Sequence, residues 1–220
     1  MKIKKTVDRP ELESRAYSCE VRAEAGEGSL ITGRPIVYGS RTDIGGYFEE
    51  VIDPGALDGC DMRDVRLLVN HDSSRIPLAR SRRNNGSSTM QLTTDEGGLS
   101  LRAELDTANN AEARALYSAV ERGDISGMSF MFSVDSERWD NMETEYPTRH
   151  ILKIRSIVEV SACTFPAYAS TEIYARSREA LESARSALES ARRQAAAPPE
   201  GGEDINLLHE KLKLMGGIRP

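Results

Sequence analysis

Apolar and polar residues alternate most cleanly along Met128–Val134. Met128, Phe130, Phe132 and Val134 fall on one face, Ser129, Met131 and Ser133 on the other. This two-residue period predicts a strand with one buried face. Gly123-Asp124-Ile125-Ser126-Gly127 precedes it as a glycine-containing turn, so Ser129 is expected at the start of the strand, pointing away from the core. Just upstream the period changes. Ala111, Ala115, Leu116, Ala119 and Val120 recur at helical spacing within Thr107–Arg122, with Asp106 or Thr107 to cap the start and Gly123 to end it.

The same patterns organise the rest. Residues 1–13 are charged and aperiodic and read as a flexible lead-in. From Ser14, the alternation of Tyr17, Cys19, Val21 and Ala23 predicts a strand, 24–28 a turn, and Ser29–Tyr38 its antiparallel partner. Residues 39–46 read as a loop before a strand over Tyr47–Ile52, which Pro54 and Gly55 end. Val65–Val69 is a short apolar run, a buried strand that delivers Asn70-His71-Asp72. Ser88–Thr94 and Leu99–Leu105 form a hairpin about Asp95-Glu96-Gly97-Gly98. A polar excursion over Ser136–Thr148 precedes two strand-like runs in Arg149–Cys163.

Beyond Tyr168 the composition shifts. Leu181-Glu182-Ser183-Ala184-Arg185 repeats as Leu188-Glu189-Ser190-Ala191-Arg192, a period of seven that draws a narrow apolar stripe suited to a partner helix. The expected organisation is a domain over 14–170, a helical segment over 171–197, a Pro- and Gly-rich linker over 198–204 and a short amphipathic helix over 205–220. Such tails more often dock on a partner or stay disordered than join a core.

Composition narrows the function classes. With 220 residues, 39% hydrophobic and 29% charged, the chain suits one sizeable soluble domain with appendages. No run approaches the roughly 18 apolar residues of a spanning helix, and the basic start lacks the apolar stretch of a signal peptide, so a cytoplasmic protein is expected. A net charge of −6 argues against generic nucleic-acid binding, and Arg80, Arg82 and Arg83 read as a solvated loop. Cys19, Cys60 and Cys163 stand far apart in no metal-binding spacing, so neither a disulfide framework nor a metal or cofactor site is expected.

Candidate chemistry centres on Ser129, which read singly is a polar residue on the wet face of a strand. A serine needs a base to take its proton. Of the three histidines, His71 leaves a buried strand, His150 starts a strand, and His209 belongs to the tail. A base in turn needs an orienting group. Glu159 interrupts the apolar stretch Ile154–Val160, where a carboxylate is costly unless paired, so it reads either as that group or as a salt bridge to Arg155 or another arginine. Asp72 adjoins His71 but points to the opposite side of an extended chain, and Asp124 reads as a residue of the turn.

Several fragments carry a wider likeness: Ile31-Thr32-Gly33 with Val37-Tyr38, Gly46-Tyr47-Phe48-Glu49-Glu50-Val51-Ile52-Asp53-Pro54-Gly55-Ala56, Leu68-Val69-Asn70-His71-Asp72, Ile125-Ser126-Gly127-Met128-Ser129-Phe130, and Val158-Glu159-Val160-Ser161 with Thr164-Phe165-Pro166-Ala167. In this order, over residues 15–170, the chain resembles the prohead (procapsid maturation) serine proteases of tailed bacteriophages. The resemblance implies a β-rich α+β fold related to herpesvirus assemblin: a barrel-like, mostly antiparallel sheet with a few surrounding helices, here with a helical C-terminal tail. It implies nucleophile Ser129, general base His71 and orienting acid Glu159, with His150 a competitor for the third role and Ser126 a weaker rival nucleophile. Met131 stands where the family often has glycine.

The implied substrates are scaffolding protein or a scaffold-like segment, the capsid protein's N-terminal region and the protease itself, cleaved inside the immature procapsid in the host cytoplasm. On this reading the tail's stripe binds scaffold or capsid subunits, and self-cleavage falls within 195–204. The competing class is a catalytically idle assembly or scaffolding protein. An α/β esterase is disfavoured because the G-x-S-x-G elbow is missing. Cleavage specificity, oligomeric state and activation trigger are left open.

Overall fold

The structure is a computed structural model and describes residues 2–4, 12–17, 21–24, 29–164 and 175–196. Strands β1 (Lys2–Lys4), β2 (Glu13–Tyr17), β3 (Val21–Glu24) and β4 (Ser29–Val37) come first. Then follow β5 (Arg41–Ile44), β6 (Phe48–Ile52), β7 (Asp64–Val69) and β8 (Ala79–Arg82). The hairpin β9 (Met90–Asp95) and β10 (Gly98–Leu105) leads through helix α1 (Ala111–Glu121) to β11 (Gly127–Asp140). β12 (Thr148–Cys163) returns antiparallel to β11, and α2 (Ala175–Ala196) ends the described chain.

The strands form two sheets. β3, β4, β10 and β9 make an antiparallel four-stranded sheet, and β1, β2, β5, β6, β7, β8, β11 and β12 make the larger one. The larger sheet is mixed, because β12 runs parallel to both β6 and β7. The fold is thus β-rich α+β and mostly antiparallel. The described strands do not pair into a closed ring, so the barrel-like sheet implied by resemblance is not what this pairing gives.

The sheets and α1 enclose one core. Met128, Phe130, Phe132 and Val134 are buried in it, as their alternation predicts, with the Phe130 and Phe132 ring centroids 4.9 Å apart. α1 starts one turn later than expected. Asn110, not Asp106 or Thr107, is the cap, accepting from the N–H groups of Glu112 and Ala113 at 2.9 and 3.3 Å. Gly123, at φ +78°, turns the chain out of the helix.

Other expectations change. The alternation over Tyr17–Ala23 does not lie on one strand, since β2 pairs with β11 in one sheet and β3 with β4 in the other. The polar excursion over Ser136–Thr148 begins as strand, because β11 continues to Asp140, and only 141–147 connect it to β12. Its polar residues conceal this. Glu137 is buried, and its carboxylate accepts from the Arg149 guanidinium at 3.0 Å. The loop over 39–46 holds β5, and the arginine cluster puts Arg80 and Arg82 on β8. Lys2–Lys4, inside the expected lead-in, pair with Ser136–Arg138 of β11.

The heptad segment is also placed differently. Ala184, Leu188 and Ala191 of α2 are buried against Ile44, Phe48 and Trp139, with Met142 alongside. These residues of the stripe are covered by the chain itself and are not free for a partner. Residues 165–167, the linker over 198–204 and the helix expected over 205–220, with His209, lie outside the described residues.

Candidate active site

Strand register brings the candidate residues together. β11 and β12 pair so that Ser129 faces Ser161 and Met131 faces Glu159. Because side chains alternate, Ser129, Ser161 and Glu159 share one face of the sheet. β7 runs parallel to β12 on its other side, with Val69 beside Ala162, and delivers His71 two residues later.

The turn that carries His71 is held firmly. Asn70 and His71 adopt φ of +51° and +58°, left-handed backbone that asparagine tolerates well and histidine less so. The Asn70 N–H donates to the Ala162 carbonyl at 3.0 Å. Its side-chain amide donates to Thr164 Oγ1 at 2.8 Å, and its Oδ1 accepts from the Thr164 N–H at 3.0 Å. The His71 N–H donates to Ser161 Oγ at 3.0 Å.

The imidazole bridges the other two groups. Its Nδ1 lies 2.8 and 3.0 Å from the Glu159 carboxylate oxygens, and its Nε2 lies 2.6 Å from Ser129 Oγ. An ionised carboxylate only accepts, so Nδ1 carries the proton and Nε2 is left to accept from the serine. Ser161 Oγ donates to Glu159 Oε1. Glu159 is thus fixed from two sides, and its side chain is only 7% exposed.

Ser129 itself is covered. Rather than lying on a wet face it is fully buried, at 0% exposure. β2 lies antiparallel along β11, with Ala16 opposite Ser129 and Arg15 opposite Phe130. Ser129 Oγ donates to the Arg15 carbonyl at 2.7 Å, and Ser14 Oγ is 3.1 Å from His71 Nε2. The hydroxyl has one proton, and the Arg15 carbonyl competes with the imidazole for it.

Beneath β2 lies a buried ionic network. The Arg15 guanidinium donates to Glu50 from Nε at 2.7 Å and from a terminal nitrogen at 3.1 Å, and to Glu13 at 2.7 Å. Arg149 donates to Glu13 at 2.6 and 2.9 Å and to Glu50 at 2.9 Å. Burial works to lower the Arg149 pKa, but Glu13, Glu137 and Glu50 hold its guanidinium protonated well above the ordinary value.

The alternative residues do not reach this cluster. His150 Nδ1 is 2.8 Å from Asp53 and its Nε2 is 3.4 Å from Asp140. Asp72 bonds to Ser74, and Asp124 pairs with Arg122 at 2.6 Å. Ser126 is exposed in the turn before β11. Arg155 pairs with Asp135 at 3.1 Å. Gly127 opens the paired strand instead of belonging to an open turn. Sequence reasoning gave no role to Ser14, Arg15 or Ser161, which touch the three central groups. Ser161 alone left a trace, by sharing the alternation of Glu159.

Next to the turn that carries His71, a mostly apolar groove of about 360 Å³ runs between residues 68–78 and α1, lined by Leu68, Val69, Leu78, Leu116, Ala119 and Ile125. Among the described residues, no helix is long and apolar enough to cross a membrane.

Comparison with known proteins adds a family. A profile of the caudovirus prohead serine proteases matches residues 17–185. The chain is 31% identical over 165 residues to the prohead protease of Enterobacteria phage HK97. That alignment takes in 73% of this chain and 66% of the relative, just short of two thirds of its length. No solved structure matches.

Proposed function

The chain belongs to the caudovirus prohead serine protease family, and from that membership and the site geometry we propose that it is a serine endopeptidase of phage procapsid maturation. The observation that carries this reading is the chain of contacts from Ser129 Oγ to His71 Nε2 at 2.6 Å and from His71 Nδ1 to Glu159 at 2.8 Å. His71 takes the Ser129 proton as Oγ attacks a peptide carbonyl, and Glu159 stabilises the imidazolium that forms. Ser161 keeps Glu159 and the His71 backbone in place. Backbone N–H groups around Gly127 to Phe130 hold the oxyanion once a substrate lies along β11. His71 then protonates the leaving amine, and water releases the acyl-enzyme.

The substrates are capsid protein, scaffolding protein or a scaffold-like segment, and the protease itself, met inside the immature procapsid. Family membership supports this assignment, as does the relative named prohead protease. The protease unit spans 14–170, the segment that carries all three catalytic groups, with the helical segment and tail appended.

Covalent labelling with a fluorophosphonate followed by peptide mapping tests the reading. The wild-type chain is expected to take label on Ser129, and the Ser129→Ala variant none. A folded wild-type chain that stays unlabelled after long incubation would favour the idle assembly protein. Label on Ser126 would move the nucleophile.

A further inference from the structure

The strand that covers Ser129 lies where an extended polypeptide would have to lie to be cut. It pairs antiparallel with the nucleophile's own strand, and its Arg15 carbonyl accepts from Ser129 Oγ at 2.7 Å. β2 pairs with β11 alone among the described strands, so it is an edge strand that can leave without breaking the sheet. Added strands of this kind are a common way to bind peptides, with main-chain bonds giving affinity and alternate side chains giving specificity. The family match begins at residue 17, after the residues that touch the site.

Building on the protease reading above, we propose that the slot filled by Glu13–Tyr17 is the substrate-strand site, and that it selects a peptide carrying arginine or lysine in the place of Arg15. The recognition chemistry is already occupied in the structure. Ser14 faces the imidazole, whereas Arg15 turns the other way, its guanidinium 5.8 Å from the Phe132 ring centroid and gripped by both oxygens of Glu50. Arg15 is 1% exposed and Glu50 0%. Two parallel N–H···O bonds from a guanidinium to a carboxylate form a directional, charge-assisted pair. A peptide that displaces β2 but brings a neutral side chain leaves the buried Glu50 carboxylate with one cation, Arg149, in place of two, and breaking a buried pair in this way is costly. A peptide that brings a cation restores it.

The same register fixes the bond that is cut. The carbonyl at Ser129 belongs to the basic residue, so Oγ bonds to that carbonyl carbon while its proton passes to His71 Nε2. The C–N bond to the following residue breaks, and the leaving amine takes the proton from His71. Water then hydrolyses the ester. Cleavage falls on the C-terminal side of arginine or lysine, and β2 is the chain's own occupant of the site until a better one arrives.

Peptide binding tests this apart from catalysis. The full chain carrying Ser129→Ala, which cannot cut, is titrated with fluorescein-labelled Leu-Glu-Ser-Arg-Ala-Tyr, the sequence of residues 12–17, and with the same peptide bearing glutamine for arginine. Anisotropy is read in this background and with Ala16→Pro added, which removes a strand N–H and loosens the resident β2. The arginine peptide is expected to bind at least tenfold more tightly, a difference of about 1.4 kcal/mol. Glu50→Gln should reduce that ratio to roughly threefold or less, consistent with the loss of a charged hydrogen bond. Equal affinity for the two peptides, or no saturable binding with β2 loosened, would overturn the proposal; neither comparison depends on Glu50→Gln folding well. Wild-type hydrolysis separates the two readings. Arginine-selective binding with no cleavage or labelling sinks the protease and leaves the slot, whereas cleavage indifferent to the basic residue does the reverse.

Discussion

Replacing Glu159 with glutamine isolates what the carboxylate contributes beyond shape. In the attack step His71 becomes charged, with its Nδ1 2.8 Å from Glu159 Oε2. At an effective dielectric of about 20, unit charges at that distance attract by about 6 kcal/mol. The amide oxygen of glutamine can still accept from Nδ1–H, returning about 1 kcal/mol as a neutral hydrogen bond. Some 4–5 kcal/mol of transition-state stabilisation is therefore lost, which corresponds to roughly 10³- to 10⁴-fold in rate. The assay is the second-order rate of fluorophosphonate labelling at Ser129, with kcat/KM on a peptide substrate beside it. The urea unfolding midpoint serves as control, because a fall in rate that merely tracks lost stability carries no catalytic meaning. A Glu159→Gln chain that folds normally and reacts within about tenfold of wild type would refute the reasoning, since the rate loss worked from this charge pair is hundreds of times larger.

Other substitutions probe the supports of the site. Ser161→Ala removes the donor to Glu159 Oε1 and the acceptor of the His71 N–H, and labelling is expected to slow roughly 10- to 100-fold, as for the loss of an orienting partner. Arg149→Met leaves the buried carboxylates of Glu13, Glu50 and Glu137 without this cation, which should cost about 3–5 kcal/mol, read as a lower urea midpoint at unchanged slope. Leu188→Asp puts a charge into the cluster under α2, and the emission of Trp139, the only tryptophan, should shift to the red as the helix lifts. Burial, and after it the charge of Asp61, pushes the Cys60 thiol from 9.0 up to about 12. Its alkylation at pH 8.5, followed by peptide mass, should be roughly 10³-fold slower than in the unfolded chain. The folded chain keeps that proton longer than the unfolded one, so this group contributes stability that is lost as pH rises from 9 toward 12.

What could be read in the sequence follows from which residues obey simple burial rules. The alternation around Phe130 and Phe132 predicted their strand and put Ser129 on its opposite face. The short apolar run before Asn70 predicted a scaffold for His71. Glu159 stood out because a carboxylate in an apolar stretch needs a partner, and that partner is His71. The parts that could not be read are those where charge is buried. Glu13, Arg15, Glu50, Glu137 and Arg149 look like surface residues in a sequence, yet each is at most 2% exposed. Their mutual pairing hides the pairing of β2 and the far half of β11 from the hydrophobic pattern. A local pattern also cannot say which sheet a strand joins, which is why one alternation over Tyr17–Ala23 split between two sheets.

The same buried charges bear on how the site is controlled. The groups proposed as catalytic are set by the register of three strands, β7, β12 and β11, and a slip of one residue would turn Ser129, Ser161 and Glu159 to the opposite face together. Such a site is built once and has little freedom to switch by moving its own members. β2 is different, since it is five residues long, at an edge, and meets the Ser129 hydroxyl with its Arg15 carbonyl. Besides its ladder to β11, Arg15 and Glu13 tie it into the ionic network, interactions that a competing strand can reproduce only with the right side chain. On the proposed reading, a rigid triad under an exchangeable strand makes access to the serine, rather than assembly of the triad, the step at which activity is set.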